Sequence, residues 1–372
     1  MFSIVETLVR PVLKGISPYR PGKPIAVLLK EKGLDRVVKL ASNENPLGPS
    51  PLALKAITNI LPQINRYPEG TGEELRQKLA ALYRIKPTEV ILGSGSSEVL
   101  ALALLTFLYP GEEVLLPEPT FSIYEILVLM SGGTPVKVPL KEGFAYDLKA
   151  MEQKTSEKTK AIILGSPNNP TGTLIKKEAL KNFLSAIPDR VIIILDEAYA
   201  EYVEDRDFES GISFFSGRPL LVARTFSKLY GLAALRIGYG IADDSIVNEM
   251  NKIRPPFNTT LPAQVAATAA LDDRKYVDKS LENNRTGKHL LYQKLSEMKI
   301  SYIPTEANFI LIDFQKNAPE ICKRLEEKGV IVRPVDNPKL YPRYIRLTIG
   351  TPDENRLFID SLREVRAPKK NV

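Results

Sequence analysis

Short aliphatic runs alternate with amphipathic segments through the middle of the chain. Segments whose hydrophobic residues recur with the period of an α-helix lie between several of these runs, for example GEELRQKLAALYR (72–84) and SSEVLALALLTFLYP (96–110). Strands buried on both faces appear as near-continuous Val, Ile and Leu, and their alternation with helices is typical of a parallel sheet covered on both sides. The predicted strands are EVILGS (89–94), EVLLP (113–117), PVKVPL (135–140), KAIILGSP (160–167), RVIIILDEA (190–198), PLLVART (219–225) and RIGYGIA (236–242).

The pattern changes near the two ends of the chain. The first 40 residues are proline-rich and irregular, and we expect an N-terminal arm at 1–40 that contributes to a smaller domain. The region 272–372 reads as a helix, a strand, a helix, two strands and a final helix. We therefore predict an α/β protein with a large domain at 41–271, built on a mostly parallel seven-stranded sheet, and a small α/β domain at 272–372.

The composition narrows the classes of function. The chain has 372 residues, of which 44% are hydrophobic and 26% charged, and these fractions are typical of a soluble globular protein. The only cysteine, Cys322, excludes an internal disulfide and a cysteine-built metal site, and it favours the cytoplasm. The longest hydrophobic segment is too short to span a membrane. The acidic Glu6 near the N-terminus argues against a signal peptide. The net charge of +7 is spread along the chain, so we expect no nucleic-acid partner.

Polar residues follow the predicted strands at the points where the strands end, which is where open parallel sheets collect their functional groups. GSGSSE (93–98) supplies a glycine turn and then a helix start, where the backbone N–H groups of Ser96, Ser97 and Glu98 could bind a phosphate. It matches neither the dinucleotide fingerprint nor a P-loop, and such a turn is common in any α/β protein.

Two further strand ends carry an amide and a carboxylate. SPNNPTG (166–172) is a rigid turn that would hold the side chain of Asn169 in place. Asp196 in DEAY follows an aliphatic strand directly, so its carboxylate faces desolvation and needs a partner. Asp196 could be a helix cap or part of a structural ion pair, or it could await a cationic ligand.

The segment TFSKLYGLAALR (225–236) interrupts two predicted strands with two hydroxyls, a lysine and an arginine. Lys228 would project where the other strand ends converge, and a lysine in such a place is easily deprotonated and can form a Schiff base. The planar fork of Arg236 suits a phosphate. Together the strand ends fit a ligand with a phosphate, a basic ring nitrogen and an aldehyde, which is pyridoxal 5′-phosphate. No metal is predicted.

SPNNPTG, DEAY and TFSKLYGLAALR resemble motifs of the fold-type I, aspartate aminotransferase-like enzymes that depend on pyridoxal phosphate, in the same order and spacing. The resemblance covers essentially the whole chain. SNENPLGPSP (42–51), RYPEG (66–70) and RLTIGTPDEN (346–355) are most similar to the subgroup that acts on histidinol phosphate.

The resemblance implies a role for each matching residue. Lys228 would condense with the cofactor aldehyde, Asp196 would pair with the pyridine nitrogen, and Tyr199 would join Asn169 at the 3′ oxygen of the ring. Phe121 would stack on the ring. The groups implied to hold the phosphate are the start of the helix at Ser96, Ser97 and Glu98, the hydroxyls of Thr225 and Ser227, and Arg236. Tyr67 would reach the cofactor of the opposite subunit, which implies a homodimer.

The resemblance also implies the reaction, a transamination between histidinol phosphate and 2-oxoglutarate that yields imidazole acetol phosphate and glutamate in histidine biosynthesis. These substrates are anionic, so arginines can serve both. Arg346 resembles the arginine that grips the α-carboxylate, Arg333 is a second candidate, and Tyr19 of the arm could close over the substrate. As structural alternatives, Arg333 could be a solvated charge and Tyr19 could serve arm packing.

Alternative functions remain on the same fold. An aromatic amino-acid aminotransferase or a threonine-phosphate decarboxylase would share nearly every cofactor residue. A regulatory module that binds pyridoxal phosphate without turnover would carry a DNA-binding domain ahead of the fold, and the arm at 1–40 is too short for one, so we expect an enzyme.

Overall fold

The computed structural model describes residues 36–315, 317–336 and 340–367, together with residues 8–10, 12, 13, 16, 29 and 34. Its strands are β1 (Val38–Lys39), β2 (Val90–Gly93), β3 (Glu113–Glu118), β4 (Thr134–Pro139), β5 (Thr159–Gly165), β6 (Ile192–Asp196), β7 (Leu220–Thr225), β8 (Gly238–Ile241), β9 (Ser301–Ile303), β10 (Phe309–Asp313), β11 (Val330–Ile331), β12 (Arg333–Pro334) and β13 (Tyr344–Thr348).

The described helices alternate with these strands along the first two thirds of the chain. They are α1 (Pro51–Ile60), α2 (Glu73–Tyr83), α3 (Ser96–Phe107), α4 (Ser122–Met130), α5 (Leu148–Lys154), α6 (Lys177–Ala186), α7 (Asp244–Ile253), α8 (Leu261–Ala270), α9 (Arg274–Glu297), α10 (Ala318–Glu326) and α11 (Pro352–Arg366). Seven strands form one sheet in the order β2-β8-β7-β6-β5-β3-β4. Every neighbouring pair in it is parallel except the two that involve β8. The predicted mostly parallel seven-stranded sheet is confirmed.

The alternation of side chains along the central strands builds a core on each face of this sheet. On β5, Ile162 and Leu164 pack with α2 and α6, whereas Ala161 and Ile163 pack on the opposite face with α3, α4 and α7. Each fully buried aliphatic side chain contributes roughly 2 kcal/mol relative to exposure. This burial on both faces explains why the central strands have near-continuous aliphatic sequences.

A second, antiparallel sheet has the order β12-β13-β10-β9 and packs with α9, α10 and α11. Val38 and Leu40 belong to the same hydrophobic cluster, and Val38 pairs in parallel with Val330. The segment after Leu40 therefore runs from this smaller unit toward the large sheet. The predicted boundaries at residues 40 and 271 stay predictions.

The direction of β8 brings three chain segments together. Gly238 at the start of β8 pairs with Gly93 at the end of β2 and with Thr225 at the end of β7. The start of α3, the segment after β7 and the turn before β8 therefore meet at one edge of the sheet. The ends of β5 and β6 open onto the same edge, since Gly165 pairs with Asp196.

Candidate active site

A cavity of about 230 Å³ lies at the carboxyl ends of the parallel strands. Most of the residues predicted from the strand ends line it, although they come from widely separated parts of the chain. These residues are Ser96, Ser97, Phe121, Asn169, Asp196, Tyr199, Thr225, Ser227, Lys228, Arg236 and Arg346.

One end of the cavity is rich in hydrogen-bond donors. Ser96 and Ser97 form the first turn of α3, where backbone N–H groups have no carbonyl partner within the helix. Gly95 precedes them with φ of 80°, and a Cβ there would lie 2.4 Å from Nη2 of Arg236. The absence of a side chain at Gly95 therefore lets the guanidinium approach the start of the helix.

The segment after β7 completes this end. Arg236 Nη1 donates to the Ala233 carbonyl at 2.9 Å and to Ser227 Oγ at 3.3 Å, which holds the guanidinium in place. The backbone N–H of Ser227 donates to Thr225 Oγ1 at 3.1 Å. Backbone N–H groups, hydroxyls and one arginine fit the oxygens of a phosphate.

Asp196 ends β6 and lines the same cavity, and the residue is 6% exposed. Burial raises the pKa of this carboxyl to about 6, although a hydrogen bond from Tyr124, another from the Ala198 N–H and the charge of Lys228 act in the opposite direction. The Tyr124 hydroxyl donates to Oδ2 at 2.8 Å and the Ala198 N–H donates to Oδ1 at 3.1 Å. The carboxylate is thus oriented and can accept from a protonated ring nitrogen.

Lys228 follows β7 and is half-buried, with Nζ donating to the Ser42 carbonyl at 3.3 Å. Burial lowers the pKa of this amine to about 8, and the positive charge of Arg346 acts in the same direction, while Glu44 opposes it. A neutral amine is therefore accessible near physiological pH, as nucleophilic and general-base chemistry requires.

The hydrogen-bonding side chains of Asn169 and Tyr199 also line the cavity. Asn169 Oδ1 accepts from Arg346 Nη1 at 2.7 Å. The hydroxyl of Tyr199 accepts from Asn43 Nδ2 at 2.9 Å. Phe121 presents an aromatic ring to the cavity. Donors for a phosphate, a carboxylate, an amine and a stacking ring around one cavity fit a planar, phosphorylated pyridine aldehyde.

A buried ion-pair network links β7 to the residues that follow β6. Arg224 on β7 pairs with Glu197 at 2.7 Å and with Glu201 at 3.2 Å. Glu197 also accepts from the Gly211 N–H at 2.6 Å and from Ser210 Oγ at 2.7 Å, so the buried charge is well compensated. The network ties the residue after Asp196 to the strand that precedes Lys228.

A second cavity of about 360 Å³ adjoins the first and shares Phe121, Asn169 and Arg346 with it. Arg333 lines this second cavity, and its Nη2 donates to Asp336 Oδ1 at 3.0 Å. Two guanidinium groups, from Arg346 and Arg333, therefore stand along one continuous space.

Among the described residues, the predicted Glu98 and Tyr67 line neither cavity. The side chain of Glu98 is held by two other contacts, since its Oε2 accepts from the Ser94 N–H of its own segment at 2.6 Å and from the distant Asn258 Nδ2 at 2.7 Å. Tyr67 is 81% exposed on the surface and stacks on Phe257, with ring centroids 4.6 Å apart. Tyr19 lies outside the described residues.

Among the cavity residues that the sequence prediction missed are Asn43, Glu44 and Tyr124. Asn43 and Glu44 belong to SNENPLGPSP, which served only as a family marker. Tyr124 stands three residues after Phe121 on the first turns of α4, so helical spacing alone would have placed it near the same wall.

Comparison with known proteins agrees with this geometry. Residues 35–362 match the family model for aminotransferase class I and II. The chain belongs to this family. Among curated relatives, the histidinol-phosphate aminotransferase of Caldicellulosiruptor saccharolyticus is 43% identical over 357 residues, which cover 96% of this chain and 99% of the relative. That of Moorella thermoacetica is also 43% identical, over 96% of this chain and 93% of the relative.

Solved structures of aminotransferases share the fold. The histidinol-phosphate aminotransferase of Sinorhizobium meliloti, in complex with pyridoxal 5′-phosphate, is 26% identical and superposes with a TM-score of 0.87 over 98% of each chain. A double mutant of aspartate aminotransferase from Thermus thermophilus is 25% identical, with a TM-score of 0.83 over 96% of this chain and 99% of that one.

These findings confirm the predicted family and fold, the aminotransferase activity and pyridoxal 5′-phosphate as the cofactor. The described part of the chain contains no helix with the length and apolar character that a bilayer span requires.

Proposed function

We propose that this aminotransferase transfers the amino group of histidinol phosphate to 2-oxoglutarate, yielding imidazole acetol phosphate and glutamate, as a step of histidine biosynthesis. The two adjoining cavities with arginines along them carry the proposal, since every substrate of this reaction is anionic. The names of the relatives at 43% identity support the same choice of substrate.

The cofactor, when bound, supplies an electron-withdrawing ring and an aldehyde. We assign its phosphate to the start of α3 with Arg236, its ring nitrogen to Asp196 and its aldehyde to Lys228, because these groups line one cavity and each has the chemistry that its part of the cofactor requires. The ionised carboxylate of Asp196 would favour a protonated ring nitrogen. The backbone donors and hydroxyls of Ser96, Ser97, Thr225 and Ser227 would complete the phosphate site.

The remaining polar groups would orient the ring. Asn169 and Tyr199 would bind the 3′ oxygen, and the ring of Phe121 would cover one face. Once the substrate amine has displaced it, Lys228 would be the base that removes the substrate Cα proton and delivers it to the carbon that carried the cofactor aldehyde. Its lowered pKa of about 8 leaves part of the amine neutral at physiological pH, which this role requires.

Arg346 and Arg333 would bind the anionic ends of the two amino donors. Arg346 is held by Asn169 and by the Ala41 carbonyl at 2.6 Å, so its guanidinium is oriented before a substrate arrives. Arg333 faces the second cavity, where the phosphate of the longer substrate could reach it. Tyr19 of the arm would close over the substrate, although it lies outside the described residues.

We also propose a homodimer in which Tyr67 reaches the cofactor of the partner subunit. The proposal is supported by large apolar side chains that a single chain leaves on the surface near Tyr67, with Ile64 60% and Phe257 43% exposed. We place the enzyme in the cytoplasm, in keeping with its single cysteine.

Initial rates with three amino donors test the substrate choice. With 2-oxoglutarate as acceptor, we expect kcat/KM for histidinol phosphate to exceed that for phenylalanine by about 100-fold or more, because the phosphate gains charged hydrogen bonds that phenylalanine cannot make. Threonine phosphate should yield no carbon dioxide. Faster turnover of phenylalanine, or decarboxylation of threonine phosphate, would replace this proposal with the corresponding alternative.

A further inference from the structure

We propose that Tyr124 is a positioning residue that acts through Asp196, keeping this carboxylate ionised and aimed at the ring nitrogen of the cofactor. The inference goes beyond the choice of substrate, and it holds for any amino donor that the enzyme uses.

The contact between the two residues is buried and short. Tyr124 on α4 is 2% exposed, and its hydroxyl lies 2.8 Å from Oδ2 of Asp196. Gly165 at the end of β5 makes room for the hydroxyl, because a Cβ there would lie only 3.0 Å from the phenolic oxygen. Phe121 packs edge-on against the Tyr124 ring at 5.7 Å, which fixes the ring.

The hydroxyl can only serve as a donor here. Burial raises the pKa of the Tyr124 phenol well above its usual range, and the nearby charge of Asp196 adds to this effect, so the proton stays on the tyrosine. A carboxylate has about four acceptor positions, and the described protein groups use one on each oxygen. Capacity therefore remains for the N–H of a protonated pyridine ring.

Several charged or polar groups face Asp196. Burial and the neighbouring Glu197 favour the protonated carboxyl, whereas Tyr124, the Ala198 N–H and Lys228 favour the carboxylate. The hydroxyl groups of Tyr146 and Tyr199 lie in the same region. The Tyr124 hydroxyl donates to Asp196 directly, whereas Lys228 acts on this carboxylate through its charge and donates to the Ser42 carbonyl.

Tyr146 supplies a matched control. It also places a phenol at the end of β5, but its hydroxyl donates to the Gly165 carbonyl instead of to Asp196. A phenylalanine at position 146 removes a hydroxyl from the same region and leaves the Tyr124–Asp196 hydrogen bond intact.

The test measures the affinity of the cofactor-free protein for pyridoxal 5′-phosphate between pH 5 and 9 without substrate, by the absorbance of the bound cofactor. For Tyr124→Phe we expect the dissociation constant at pH 7 to rise about tenfold, and the pH at which affinity falls on acidification to move up by about one unit. For Tyr146→Phe we expect the wild-type curve. The ionisation of the free cofactor affects the wild type and both variants equally, so it does not contribute to the differences between their curves.

A double-mutant cycle addresses the case in which Tyr124→Phe folds poorly because the buried Asp196 carboxylate has lost the hydrogen bond from Tyr124. In an Asp196→Asn background position 196 carries no charge, and we expect Tyr124→Phe to cause no further loss of cofactor affinity. The proposal is overturned if the curve of Tyr124→Phe matches the wild type, if Tyr146→Phe shifts it equally, or if Tyr124→Phe weakens binding to the same degree in the Asp196→Asn background.

Discussion

Asn43 donates a hydrogen bond from its side-chain amide to the hydroxyl of Tyr199, with 2.9 Å between Nδ2 and the oxygen. Asn43 is itself anchored to the smaller sheet, because Thr348 Oγ1 donates to its Oδ1 at 3.1 Å and its backbone N–H donates to Thr348 Oγ1 at 2.9 Å. The position of Tyr199 in the cofactor cavity is thus coupled to β13 of the smaller unit.

Two substitutions of Asn43 should separate the stability that its side-chain hydrogen bonds contribute from the cost of its backbone conformation. Asn43 has a φ of 54°, which glycine adopts freely and alanine does not. We expect Asn43→Gly to lower the free energy of unfolding by about 1–2 kcal/mol through the lost hydrogen bonds, and Asn43→Ala by about 1 kcal/mol more. Urea unfolding of the cofactor-free proteins measures both. If Asn43→Gly is as stable as the wild type, the side-chain hydrogen bonds contribute nothing.

The ionisation of Lys228 predicts how cofactor attachment depends on pH. Burial lowers the pKa of this amine to about 8 in the folded protein, against about 10.4 for an ordinary lysine. Because the neutral amine attacks the aldehyde, the rate of attachment to the cofactor-free protein should rise with pH around a midpoint near 8. Glu44→Gln should move the midpoint lower, since the Glu44 carboxylate favours the charged lysine.

The control for this pH profile is Lys39→Met, because Lys39 pairs with Glu44 at 3.2 Å and its loss leaves the carboxylate in place. Its midpoint should stay near that of the wild type. An upward shift in Glu44→Gln would contradict the assignment. In the window between pH 8 and 10.4 the unfolded chain binds a proton that the folded one lacks, so the stability of the cofactor-free protein should increase with pH there.

The two arginines should affect the substrates differently. Arg346→Lys keeps the charge but loses the fork that contacts Asn169 and the Ala41 carbonyl, so KM should rise about tenfold for both histidinol phosphate and glutamate. Arg333→Met should raise KM for histidinol phosphate several-fold more than for glutamate, because only the longer substrate is expected to reach the second cavity. Steady-state kinetics with each donor measure the change in KM for that donor. Equal changes for both donors in Arg333→Met would contradict the role proposed for Arg333.

The predicted dimer can be tested on the exposed apolar surface around Tyr67. Ile64→Asp should shift the protein toward monomers in analytical ultracentrifugation and should weaken cofactor retention, because the partner's tyrosine is lost with the interface. Leu340→Asp is a control of similar exposure, 61% against 60%, and should stay dimeric. A monomeric wild type, or a dimeric Ile64→Asp variant with unchanged cofactor affinity, would rule out the contact.

The strand pattern predicts most of the large sheet because burial on both faces leaves a strong aliphatic signal, as in β5 and β6. The antiparallel direction of β8 could not be predicted, since hydrophobicity does not encode direction. Asp196 and Lys228 could be predicted because Asp196 ends β6 and Lys228 comes soon after the end of β7, and the ends of these paired strands share one edge of the sheet. Asn43 was missed because its partner Tyr199 is 156 positions away, and no local pattern encodes a contact of that range.

Glu98 shows the limit of predictions from motifs. The motif predicts that its backbone N–H binds a phosphate, which stays a prediction, but the motif does not predict where the side chain lies. Its carboxylate accepts from the Ser94 N–H of its own segment. Tyr67 shows a different limit, because the contact predicted for it belongs to a second copy of the chain.

The central claim is that Lys228 carries the cofactor at the cavity shared with Asp196. Reduction of the loaded enzyme with borohydride, followed by proteolysis and mass spectrometry, would fix the attached cofactor on its lysine. We predict that the peptide containing Lys228 carries the added mass and that Lys228→Ala shows none at any site. Stoichiometric labelling of another lysine, or an unlabelled Lys228 in active enzyme, would contradict the account.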